Sequence, residues 1–182
     1  ITWAMESSAT GGPMNYNPDI KYRDPSAWYN LHMVWDTAQP SKNSRARVYI
    51  NGIQNDIELA TFPNEDADSM QFNKAIAHEI ARYGSAYFDG YLAQYCFIDG
   101  SALAATSFGE FDDYGIWRPI DPSDLTFGTN GFYLDFADSS DLGNDVSGNN
   151  NDFTSSGLAT NDQVTDTPTN NHMNFASLVR GG

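Results

Sequence analysis

The dipeptide Asn51-Gly52 constrains this chain most. It is preceded by Ala46-Arg47-Val48-Tyr49-Ile50 and followed by Ile53. A two-residue hairpin turn of type I′ needs positive φ at both central positions, and Asn-Gly between β-branched residues meets that need. Two strands are therefore expected, Ala46 to Ile50 and Ile53 to Leu59. The preceding run, Trp28 to Asp36, alternates with a period of two. It places Tyr29, Leu31, Met33 and Trp35 on one uniformly apolar face, and Trp28, Asn30, His32 and Val34 on the other. The first face is assigned to the core, and His32 is expected to face outward.

Aromatic residues make up 14% of the 182 residues and turn residues recur every ten or so positions, as in a protein of short strands. Thr37 to Ser44 and the acidic stretch Phe62 to Phe72 are expected as loops. Lys74 to Tyr83 fits helix or strand and is assigned to strand. Ala86 to Leu92 and Ala93 to Ile98 are dense in aromatics, with Asp89-Gly90 as a kink and Asp99-Gly100 as a turn. Ser101 to Phe108 is the only credible helical turn. Phe111 to Phe127 looks irregular, and Gly131 to Phe136 is a last strand. From Asp138 to Asn171 the chain is built of Asp, Asn, Ser, Thr and Gly, which suits a long ordered loop or an extended arm.

The formal charge is −15, from 24 acids and 9 bases. After Arg82 only Arg118 and Arg180 are basic, against 14 acids. Phosphate recognition needs clustered Lys and Arg, so neither nucleic acid nor an anionic membrane is an expected partner. The single cysteine, Cys96, excludes an intrachain disulfide and lies in an apolar run, as an inert buried thiol would. Ile1 in place of a start methionine fits a processed chain or part of a longer one.

Arg23-Asp24-Pro25-Ser26-Ala27-Trp28-Tyr29, then Val34-Trp35-Asp36 and Arg47-Val48-Tyr49-Ile50-Asn51-Gly52, resemble the laminin G-like family. Tyr87-Phe88-Asp89-Gly90-Tyr91-Leu92-Ala93, leading to Phe97-Ile98-Asp99-Gly100, is similar to a late strand of that family. Further matches are Phe108-Gly109-Glu110, Gly115-Ile116-Trp117-Arg118-Pro119, Gly128 to Leu134, Asp145 to Asn151 and Asp166 to Asn171. In this order, over about residues 20 to 171, they resemble laminin G-like modules in structural and tail-fibre proteins of marine tailed bacteriophages.

The resemblance implies an all-β antiparallel jelly-roll sandwich of the laminin G or concanavalin A-like type. The jelly roll is expected to be incomplete, because only some twenty residues precede the Trp-Tyr strand. Residues 1–112 would be the later strands of one module and 113–130 a connector. Residues 131–182 would be a strand plus an acidic arm resembling the start of a following module. The implied function is a non-catalytic structural component on the virion exterior: a fibre, appendage or decoration subunit. Its partners would be other copies, other virion proteins and host surface glycans. The alternative is a lectin-like carbohydrate-binding adhesion module, with Trp117 and Tyr114, besides Trp3 and Tyr16, as aromatics outside the assigned core.

A glycosidase would need two carboxylates at one cleft, and Glu110 with Asp112 and Asp113 come nearest. Asp138, Asp141, Asp145 and Asp152, with Asn149 and Asn151, offer the oxygen ligands that Ca2+ prefers. Their spacing is not that of an EF-hand. Counted from Asp141, the sixth residue is not glycine and the twelfth is Asp152 rather than Glu. The other reading of this stretch is a loop whose Asx side chains cap their own backbone turns. His32, His78 and His172 have no partners at ligand spacing.

Overall fold

The computed structural model describes residues 3–7, 12–16, 22, 24, 26–56, 62–67, 73 and 77–168, with the backbone alone at 3–7, 12–16 and 83. The described chain is all-β: eleven short strands, one four-residue helix and two single 3-10 turns. All six strand pairings are antiparallel. They form five small, unclosed sheets rather than one continuous surface.

A hairpin not expected from the sequence opens the chain, β1 (Trp3–Ser7) with β2 (Gly12–Tyr16). The central sheet has the order β3-β4-β5, with β3 at Leu31–Trp35, β4 at Ala46–Ile50 and β5 at Ile53–Asn55. Its turn is the one the sequence demands, with φ of 49° at Asn51 and 74° at Gly52. The Asn51 side chain extends the ladder by accepting the Asn30 N–H at 2.8 Å. The expected returning strand runs shorter, and residues 57–61 lie outside the described residues.

Register explains the core. Leu31 lies opposite Ile50 and Met33 opposite Val48, so all four share a face, where Tyr22 and Tyr29 cover the buried Val48 and Ile50. The apolar face read from the alternation is therefore packed, and the opposite face, expected to meet solvent, also buries Val34.

The loop before β4 contains an unforeseen helix, α1 (Lys42–Arg45). Arg45 is buried, and its guanidinium donates to the carbonyls of Gln39, Pro40 and Pro63 and to Glu65 Oε2. Five N–H donors in a rigid fork suit this clamp, which ties residues 62–67 to the end of the sheet.

Lys74 to Tyr83 departs from the strand assignment. Residues 74–76 lie outside the described residues, 77–81 form no strand, and only β6 (Arg82–Tyr83) pairs, with β7 (Ala86–Tyr87). The expected strand Ala86 to Leu92 ends after Tyr87, and residues 88–94 are irregular. β8 (Tyr95–Phe97) follows, and a 3-10 turn at Ala105–Ser107 supplies the expected helical turn.

Phe111 to Phe127 is not all loop. β9 (Gly109–Phe111) and β10 (Trp117–Pro119) form a hairpin across the expected 112/113 boundary. β11 (Phe132–Leu134) pairs with β8, so the strand of the third segment completes a sheet begun in the first.

Candidate functional site

The acidic Asn-rich stretch after β11 is a fastening device. The buried Asp145 carboxylate accepts the N–H groups of Tyr133 (2.8 Å), Ser147 (2.9 Å) and Asn151 (2.9 Å), and the Ser147 hydroxyl (3.0 Å). Burial alone would raise this carboxyl, but the donors outweigh it and hold its pKa below the usual carboxylate value. Val146 N–H donates back to the Tyr133 carbonyl, so the outer edge of β11 is closed at Tyr133 by residues 145–146. Asn149 and Asn151 each donate to the Gly131 carbonyl, and to those of Gly128 and Thr129 respectively. Gly131 is fixed by close approach, because a Cβ there would collide with the Phe127 carbonyl. Phe153 packs edge-on against Phe132, at 4.8 Å between ring centroids.

The four acids expected to hold Ca2+ stand as follows. Asp145 is committed to N–H donors, and Asp152 Oδ1 accepts the Asp145 N–H at 2.9 Å. Asp138 closes a turn by accepting the N–H and hydroxyl of Ser140, and these hold its pKa low. Asp141 is exposed. Among the described residues, no three His, Cys, Asp or Glu side chains group so as to hold a metal ion. The structure thus joins Asp145 to Asp152 through a backbone N–H and gathers no Asp138, Asp141, Asp145 and Asp152 cluster. The geometry is that of the turn-capping alternative.

The β9–β10 hairpin carries the other candidates. Asp112 Oδ1 accepts the N–H groups of Ile116 and Tyr114, and Oδ2 accepts Arg118 Nε, each at about 3 Å. These bonds, led by that from Ile116, keep the Asp112 carboxyl below its ordinary pKa. Asp112 therefore builds a rigid turn, while Glu110 is exposed on β9. Tyr114 stands at the tip, 89% exposed. Trp117 is half-buried, its ring against Gly52 and Gly109 and edge-on to Phe111. So the two aromatics paired for sugar binding differ: Tyr114 is open, and Trp117 is largely engaged in packing. Trp3 and Tyr16 face each other in register across β1 and β2, and their side chains lie outside the described residues.

A third feature was not foreseen. Residues 86–92, where the family resemblance implies a late strand, carry Tyr87 (73% exposed), Phe88, Tyr91 (65% exposed) and Leu92 at the surface. The signal was Gly84-Ser85 and Asp89-Gly90, which break the alternation too often for a core strand. Cys96, expected to be buried, is half-buried, and burial pushes its thiol up to about 12, with Asp121 adding to the effect.

No protein-family profile matches the chain, and neither a curated protein nor a solved structure does.

Proposed function

We propose that this chain is a non-catalytic structural component of a phage virion. It would be part of a fibre, appendage or decoration subunit built on an incomplete laminin G-like jelly roll. The observation that carries the reading is the open apolar surface of residues 86–92 beside small, unclosed sheets. Clustered exposed apolar side chains mark interaction surfaces, four of them fall within this short segment, and unclosed sheets leave strand edges that another chain segment can extend. Other copies, or other virion proteins, would cover this surface. The acidic character supports the same reading, since like-charged particles repel and stay dispersed. Antibodies raised against the chain should decorate the exterior of intact tailed particles in immunogold electron microscopy. Labelling confined to host cells contradicts the proposal.

Tyr114 favours a second, compatible reading, a lectin-like attachment role. An exposed ring on a rigid turn is a platform on which a sugar face can stack. On a glycan array of host surface polysaccharides, Tyr114→Ala should abolish any binding the wild type shows while leaving the melting temperature unchanged. An array negative for the wild type removes the attachment role. A glycosidase is the least supported reading, since Asp112 is spent on turn N–H groups and Arg118. It would require turnover that disappears in Glu110→Gln.

A further inference from the structure

The second face of the central sheet, the side expected to meet solvent, is covered. His32 lies opposite Tyr49 in register and stacks on it at 5.3 Å between centroids, and Phe108 packs on the same imidazole at 5.0 Å. Phe108 introduces β9, and its carbonyl accepts the Ile120 N–H just beyond β10, so the hairpin moves with it. A few residues along, the Trp117 ring lies on Gly52, where any Cβ would overlap it. Residues 105–120 thus dock on the sheet through His32–Phe108 and Gly52–Trp117.

The polar atoms near this contact are poorly matched. His32 Nδ1, Arg47 Nε and Trp117 Nε1 are buried with no hydrogen-bond partner among the described residues. Unpartnered buried polar atoms weaken an interface compared with apolar groups of the same shape. The groups facing His32 can be named element by element. On β4 they are Arg47, opposite its strand neighbour Val34, and Tyr49. The 105–108 segment brings Phe108 and no ionisable group. On the hairpin, Glu110 is exposed, and Asp112 and Arg118 pair with each other. No carboxylate is therefore bonded to the imidazole among the described residues, and the charge acting on it is that of Arg47.

We propose that His32 is an acid-sensitive latch that holds residues 105–120 against the central sheet while neutral and releases them when protonated. The inference is independent of the virion reading. A second N–H donor on the ring would find no acceptor among the described residues, and the new cation would be repelled by the Arg47 guanidinium on the adjacent strand. Burial, reinforced by Arg47, lowers the imidazole in the docked state from 6.5 to about 4. The sign follows directly. Above pH 6.5 the ring is neutral whether docked or released, and docking is at full strength. Between 6.5 and about 4 only the released form takes up the proton, so docking weakens about tenfold per pH unit. Below about 4 the loss is complete.

Hydrogen exchange of the full chain, corrected for the intrinsic pH dependence, tests this. Peptides within 105–120 should open progressively as pH falls from 6.5 to 4, while those within 143–153 stay protected. His32→Phe should remove the pH dependence at 105–120. The same acid response in His32→Phe, or simultaneous opening of both regions in the wild type, overturns the proposal. Should that variant fail to fold, NMR titration of the wild-type His32 imidazole decides. A midpoint near 4 supports the latch, and a midpoint near 6.5 sinks it.

Discussion

Two stretches equally rich in aromatics end in opposite environments. Around β11, Tyr133 is 5% exposed and Leu134 2%, and Phe127 is buried beside them. Around β7, Tyr87 is 73% exposed and Tyr91 65%. The side chains do not differ in kind; their polar surroundings do. β11 has a neighbouring loop that satisfies its backbone: Asp145 takes the Tyr133 N–H, and Asn149 and Asn151 take the Gly131 carbonyl. With its edge closed, the strand can bury both faces. β6 and β7 pair over two residues each, no such loop closes them among the described residues, and the Tyr87 ring stays at the surface. Burial of aromatics here follows from where the backbone hydrogen bonds can go.

The comparison can be broken most strongly at Asp145. Asp145→Ala leaves the N–H groups of Tyr133, Ser147 and Asn151 without their acceptor, and a loss of about 4 kcal/mol is expected in denaturant unfolding. An equal substitution at exposed Asp89 should change stability by less than about 0.5 kcal/mol. Gly52→Ala comes next. It places a Cβ at positive φ against the Trp117 ring and should cost about 2 kcal/mol, visible as a lower melting temperature.

The smallest effect sharpens the comparison by pH. The Asp145 carboxyl has a lowered pKa when folded, so its contribution is complete above the unfolded value of about 3.9 and is lost as pH falls through the folded one. Acid unfolding below about pH 4 should be shallower in Asp145→Asn than in the wild type.

The sequence made part of this legible. Asn51-Gly52 and the alternation at 29–35 specify the central sheet because turn chemistry and period two are local properties. The fastening role of Asp145, Asn149 and Asn151 was not legible. Asx-rich composition points first to side chains that cap their own turns, as Asp145 does for Ser147 and Asn151, but no local pattern reveals the Tyr133 N–H and Gly131 carbonyl that tie them to β11. The covering of His32 was hidden for the same reason, since Phe108 lies 76 positions away in the chain. The β9–β10 hairpin escaped because Asp112, not a glycine-led dipeptide, organises its turn.

The central claim is that the open ring surface of residues 86–92 is an assembly surface, and sedimentation equilibrium across protein and salt concentration tests it most directly. The wild type should associate with rising concentration, and more strongly at high salt, because salt screens repulsion between chains of charge −15 and favours apolar contact. Tyr87→Ser combined with Tyr91→Ser should be monomeric under the same conditions with unchanged unfolding. A wild type that remains a monodisperse monomer at the highest attainable concentration and salt would contradict the account.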